Sequence, residues 1–175
     1  MGEILIQADV DKIEAEIRHR ELEVRPQILQ EVKEARAQGD LSENFEYHAA
    51  KQARGKNEGR IKYLKNVLKF AKVISDESKP DEVGMNDTVT VYNLDEEEDE
   101  TYRIVTSIRA NALKHLVSIG SPIGSALLGH KVGDTVTVHV HSKDNMGREH
   151  VYDYDVEITK IEKTGNLPTD EIGTY

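Results

Sequence analysis

Gln38-Gly39-Asp40-Leu41-Ser42-Glu43-Asn44 is the polar segment at which one helical stripe ends and another begins. Upstream of it, Val10, Ile13, Ile17, Val24, Ile28, Val32 and Ala35 recur at spacings of 3, 4, 7, 4, 4 and 3, which is one apolar face of a helix. Leu22 and Leu29 widen that face. Asp9 or Asp11 is placed to cap its start, and Pro26 predicts a kink or a restart. Downstream, Tyr47, Ala50, Arg54, Asn57, Ile61, Leu64, Leu68 and Ala71 fall on successive a and d positions of a seven-residue repeat. Gly39 suits the C-cap of the first helix, and Asp40 or Ser42 the N-cap of the second. Two helices of about 27 residues joined by a short polar turn predict an antiparallel coiled-coil hairpin roughly 40 Å long. The repeat weakens at Arg54 and Asn57, beside Gly55 and Gly59, near the end that carries the turn.

The charge of the 175-residue chain sharpens this division. Its net −10 argues against a general nucleic-acid binder. Residues 1–75, however, carry a net +1 and residues 76–175 a net −11, so the whole acid excess lies in the second part. From Lys51 to Lys72, eight cations (Lys51, Arg54, Lys56, Arg60, Lys62, Lys65, Lys69 and Lys72) face one acid, Glu58. A solvated helix face explains that stretch most simply, although a local basic patch can steer a polyanion on an acidic molecule. The absence of cysteine excludes a disulfide framework, a thiolate metal site and a cysteine nucleophile. No apolar run approaches the roughly 20 residues of a membrane span, and the N-terminus lacks a signal pattern. A cytoplasmic protein without a membrane partner is expected.

Residues 1–75 are thus read as the hairpin and 76–87, with Pro80 and Gly84, as a linker. Residues 88–162 alternate as strands: Thr88–Leu94, an acidic run Asp95–Glu100, Thr101–Val105, Leu116–Ile119, Thr135–Val140 and Val151–Ile161. Ser121-Pro122 suits the N-cap and first position of a short helix. The fold class is therefore α+β, a helical hairpin followed by an antiparallel sheet domain with one short helix. Residues 163–175 read as a loose tail.

Conventional catalytic constellations are missing: there is no GxSxG, no Walker-type loop and no HExxH. His139 and His141 share a strand face without a third metal ligand nearby in sequence, and the acid run lacks the spacing of a calcium loop. The strongest candidates are Asp40, Glu43 and Glu46 at the turn. Locally they read as caps and as partners of a helix dipole. At the end of a long hairpin they are also placed to reach something distant. Two or three exposed carboxylates hold Mg²⁺ weakly on their own, because that ion keeps waters and shares its ligands with phosphate substrates.

The segment Glu34-Ala-Arg-Ala-Gln-Gly-Asp-Leu-Ser-Glu-Asn-Phe-Glu-Tyr-His-Ala-Ala50, followed by Glu58-Gly-Arg-Ile61, closely resembles the tip of bacterial transcript cleavage factors of the GreA family. Thr101-Tyr-Arg-Ile-Val105, Ser121-Pro-Ile-Gly124, Ala126-Leu-Leu-Gly129 and Gly133-Asp134 resemble the same family's second domain, so the resemblance covers roughly nine-tenths of the chain. It implies a coiled-coil hairpin and an FKBP-like C-terminal domain. The implied function is rescue of backtracked RNA polymerase, working as a monomer. The globular domain docks at the rim of the secondary channel through Ser121, Pro122 and an exposed Ile123. The hairpin enters the channel, where Asp40 and Glu43 match the acids that help hold a shared Mg²⁺ and orient the water that hydrolyses the extruded RNA 3′ end. Arg36, Lys51 and Arg54 match basic positions that face the nascent RNA. The polymerase would supply the first metal and most ligands, so the protein stimulates cleavage in trans and is not itself a nuclease.

Departures from the family pattern are Phe45 at a usually small position, Ser125 at an often basic one, a lengthened hairpin at 141–151, and the tail. Two rival functions share the fold. A Gre-like inhibitor would occupy the same channel, but the plain Asp40-Leu41-Ser42-Glu43-Asn44 tip lacks extra acids. A prolyl isomerase would need an aromatic pocket, yet Phe45 and Phe70 both lie in the hairpin and the chain has no tryptophan. A coiled-coil adaptor without a catalytic role is a third reading.

Overall fold

The computed structural model describes residues 2–39 and 44–174. The chain divides into two units, one comprising Met1–Glu3 and Gln7–Lys72, the other Ile4–Ile6 and Val73–Tyr175.

In the first unit the upstream stripe runs as α1 (Gln7–His19), a π-helical turn (Arg20–Val24) and α2 (Arg25–Ala37). The break therefore precedes Pro26, which sits in the first turn of α2 where its missing N–H costs nothing. Helix α1 begins at Gln7, so Asp9 does not cap it: Asp9 is fully buried within the first turn, and Asp11 is exposed and accepts from the Gln7 amide. Helix α3 (Phe45–Phe70, 26 residues) returns antiparallel, capped by Asn44 and not by Asp40 or Ser42. Ile28, Val32 and Ala50 pack together, with Val24, Tyr47 and Ala53 partly buried around them. Farther from the turn Ile13, Ile17, Ile61, Leu64 and Val67 are buried.

The middle of the seam is polar. Asn57 occupies its predicted position and is buried, with Arg20 Nη1 donating to its Oδ1 at 3.2 Å. Arg54, although on the repeat, is exposed; the buried arginine is Arg60, bonded to Glu16. Arg25 and Glu58 form a two-bond pair across the hairpin at 2.7 and 2.8 Å. Such pairs fix register more than they add stability.

In the second unit β1 (Thr88–Asn93), β2 (Glu98–Val105), β3 (Leu116–Ser118), β4 (Thr135–Lys143) and β5 (Glu149–Glu162) form one sheet in the order β3-β2-β1-β5-β4. The sheet is mixed and not wholly antiparallel, because β3 lies parallel to β2, Arg103 opposite Leu116. The two 3₁₀ turns between β2 and β3 supply the crossover that a parallel neighbour requires. Val89, Val91, Ile104, Val136, Val138, Val156 and Ile158 form the core with α4 (Pro122–Leu127).

Two regions differ from their sequence reading. Residues 76–87, read as a linker, contribute Val83 to the core and bury Gly84, Met85, Asn86 and Asp87. Their polar composition misleads because the polar groups bond internally, as when the Gly84 N–H donates to Asp87 Oδ2 at 2.6 Å. The tail is not loose: Asp170 is ion-paired to Arg103 and Arg109, and the Gly173 N–H donates to the Ile108 carbonyl at 2.8 Å. No helix among the described residues is long and apolar enough to cross a membrane.

Candidate functional site

The described chain stops at Gly39 and resumes at Asn44, so Asp40 and Glu43, the candidate catalytic and metal-holding pair, lie outside the described residues. Their flanks are well defined. Gly39 follows the α2 C-cap Gln38 at φ +120°, a conformation that side chains beyond glycine resist. Asn44 Oδ1 accepts the Tyr47 N–H at 3.0 Å as the α3 N-cap, while its Nδ2 donates to the Ala35 carbonyl of α2 at 2.8 Å. One amide thus satisfies an orphan donor of α3 and adds a second bond to an α2 carbonyl that also accepts the Gln38 N–H.

Arg36, in the last turn of α2, places its guanidinium 5.6 Å from the centre of the Tyr47 ring. The Arg36 hydrogen bond, with the charges of Arg36 and Lys51, holds the Tyr47 phenol below its ordinary pKa. Arg36 thus lies over the Tyr47 ring from the neighbouring helix, and the charge of Lys51 is felt at the same phenol. Arg54 lies further along α3, exposed, where its charge acts on Glu58 instead. Of the rest of the basic stretch, Arg60 and Lys65 are engaged across the hairpin by Glu16 and Glu21. The free positive face is accordingly narrower than the run of cations suggested.

Phe45 opens α3 with 87% of its surface exposed. It does not pack beneath the turn. Glu31, Glu34 and Glu46 border a cleft of about 460 Å³ lined also by Ala35, Ala49, Ala50 and Ala53. Among the described residues no group of three or more histidines or acids could hold a metal ion.

In the second unit, Ser121 caps α4 as its sequence predicts, its Oγ accepting the Gly124 N–H at 3.1 Å. Pro122 is exposed at the first helical position. Ile123 is not an exposed contact: it is 8% exposed and belongs to the sheet core, since the turn of helix that presents Pro122 outward points its neighbour inward. Exposed apolar surface nearby in sequence comes instead from Leu128, and from Leu113 at 95% exposure. His139 bonds Asp153 across the β4–β5 pair, which accounts for it without a metal.

Asn44 and Tyr47 went unnoticed as site residues in the sequence. Asn44 is the last of several cap-type residues in a row, and only the position of Ala35 selects it. Tyr47 sits on the heptad, which reads as packing alone.

Comparison with known proteins adds independent support. Residues 4–73 match the family model described as Transcription elongation factor, N-terminal, and residues 77–163 match Transcription elongation factor, GreA/GreB, C-term. The Transcription elongation factor GreA of Streptococcus pneumoniae serotype 19F (strain G54) is 42% identical over 155 residues, covering 88% of this chain and 91% of that protein. Its counterpart in Streptococcus sanguinis (strain SK36) is 43% identical over the same shares. Among solved structures, GreA factor homolog 1 (Gfh1) of Thermus thermophilus is 22% identical, with 93% of this chain and 99% of that chain covered and a TM-score of 0.42. The matched models together take in all but residues 1–3, 74–76 and 164–175, and the chain belongs to the GreA/GreB family of transcription elongation factors.

Proposed function

We propose that the protein rescues backtracked RNA polymerase by carrying Asp40 and Glu43 into the polymerase active centre through the secondary channel. One observation carries the reading. The Asn44 amide ties α3 to the last turn of α2, so both flanks of residues 40–43 are fixed at the same end of the helical pair.

The division of labour follows. Asp40 and Glu43 would help hold the second Mg²⁺ of a site whose metal the polymerase mainly supplies, and a two-metal site of that kind would provide an activated water and charge stabilisation at the leaving oxygen of the RNA. Arg36, over the Tyr47 ring, and Lys51, with Arg54 beyond them, contact the phosphates of the nascent RNA 3′ segment. The protein stimulates hydrolysis in trans, as a monomer in the cytoplasm, and binds no metal tightly alone. Ser121 and Pro122 form the polymerase-docking turn, with Leu128 in the apolar role that buried Ile123 does not fill.

The test is a stalled, backtracked elongation complex incubated with the protein and Mg²⁺. Wild-type protein releases short RNA 3′ fragments, whereas Asp40→Asn and Glu43→Gln fall to the basal rate of the polymerase while retaining its binding. Full activity of Asp40→Asn overturns the site. Suppression of the basal rate by wild-type protein overturns the function in favour of a channel-blocking inhibitor.

A further inference from the structure

The C-terminal tail lies beyond the region matched by the family models, which ends at residue 163, yet it occupies a built site on the second unit. Arg103 on β2 and Arg109 on the following 3₁₀ turn bring two guanidiniums, 9% and 2% exposed, to one carboxylate, that of Asp170. Both nitrogens of the Arg103 fork bond it, and Arg109 Nη2 reaches its Oδ2 at 2.6 Å. Asn86 orients the arginines, accepting from Arg109 on its side chain and from Arg103 on its backbone, and it also bonds Asn166 of the tail. Lys114 approaches Glu171 at 3.5 Å. The Gly173 N–H adds one main-chain bond to the Ile108 carbonyl. With the tail in place a space of about 310 Å³ remains between it and the domain, walled by Arg103, Arg109 and Lys114 on one side and by Asp170–Thr174 on the other.

This is how a peptide ligand is held: a charge-assisted fork at the centre, a weaker ion pair at the rim, one main-chain hydrogen bond and an apolar residue beside them. The arginines belong to the family-matched domain and the carboxylate to a segment outside it. We propose that the Arg103–Arg109 cleft is a recognition site for an acidic peptide segment of a partner protein, of the form Asp-Glu-apolar, and that the tail sequence Asp170-Glu171-Ile172 occupies it in cis as a built-in competitor. A bare phosphate would satisfy the guanidiniums but leave the Ile108 carbonyl without the main-chain donor that Gly173 supplies, so a peptide fits the site better than a free anion or a nucleic acid. The inference stands apart from the cleavage function, because it involves the second unit alone.

The full-length chain carrying Asp170→Asn and Glu171→Gln frees the cleft, and a fluorescently labelled peptide of residues Asn166–Thr174 is the probe. Saturable binding to this variant, at least tenfold weaker binding to the wild-type chain, and loss of binding when Arg103→Lys is added are the expected results. Equal binding of a peptide with Asn and Gln at the acidic positions overturns the proposal, as does equal competition by inorganic phosphate or by an RNA oligonucleotide. Amide exchange of the wild-type chain gives a second measurement that does not depend on the variant folding. The Gly173 N–H exchanges at least a hundredfold faster than the Val156 N–H if the tail leaves its cleft while the sheet stays folded. Exchange of both at one rate makes the tail a fixed part of the domain and overturns the proposal.

Discussion

Arg60 lies across the hairpin from Glu16, its Nε donating to Oε1 at 2.9 Å and its Nη2 to Oε2 at 3.2 Å, with only 7% of the arginine side chain exposed. The same carboxylate also takes the Arg20 Nε at 2.8 Å. Burial opposes its ionisation, but the bonds from Arg60 and Arg20 and their charges prevail, so its pKa falls below the usual 4.5. Glu16→Gln removes the counter-charge of a buried guanidinium and is expected to cost about 3 kcal/mol in urea unfolding. A lowered carboxylate stabilises fully above its ordinary pKa and less as pH falls through the folded one. The gap between wild type and Glu16→Gln therefore narrows below about pH 4.5.

Asn44→Ala removes a helix cap and the bond to Ala35 together. A loss of about 1–2 kcal/mol is expected by thermal unfolding. RNA cleavage falls further than that loss alone explains, at unchanged polymerase affinity, because the flanks of residues 40–43 are no longer tied.

Phe45→Ser tests the most exposed aromatic of the hairpin. Phe45 is 87% exposed and none of the described residues covers it, so stability stays within about 0.5 kcal/mol. Stimulated cleavage drops several-fold, which a competition assay attributes to contact with the polymerase if the affinity drops in parallel.

Gly124→Ala meets a harder obstacle. A Cβ there would lie 2.0 Å from the Ser118 carbonyl oxygen, a backbone atom held between β3 and α4. A destabilisation of about 3 kcal/mol in urea unfolding is expected, since neither neighbour can yield cheaply. Polymerase binding weakens with it, as the Ser121-capped turn is displaced.

Asp170 makes the second unit sensitive to acid. Burial raises its pKa, but the Arg103 bond, the Leu167 N–H and the charges of both arginines bring it from 3.8 to about 2. Its contribution, about 2 kcal/mol, is complete at neutral pH and disappears as pH falls from about 4 to about 2. Asp170→Asn lacks that contribution at pH 7 and shows a correspondingly flatter acid-unfolding profile by circular dichroism.

The hairpin was legible because its signals are local. Ile13, Ile17, Ile28, Val32 and Ala35 announce a helix face wherever the chain goes, and Ser121 finds its capping partner three residues away. The misreadings in the second unit involve distant partners. Ile123 is buried by strands that include Val136 and Val156, and Val83 by the same sheet, which no window around either residue contains. Asp170 finds Arg103 at a separation of 67 residues, so a polar tail and a buried ion pair look alike in sequence. At the site, the acids and bases were visible as residue types. The placing of Arg36 over Tyr47 and the bridging amide of Asn44 depend on the pairing of α2 with α3.

The π turn at Arg20–Val24 makes the hairpin tolerant of one kind of change in length. A π turn is an α-helix carrying one surplus residue, so removing a single residue between 20 and 24 lets the backbone close into a regular helix. The apolar faces of α1 and α2 would keep their phase toward α3. A deletion elsewhere in α2 would instead swing everything beyond it by about 100° and turn Arg36 away from Tyr47. The wide turn is thus the one place in this arm where the chain can shorten without re-aiming its far end.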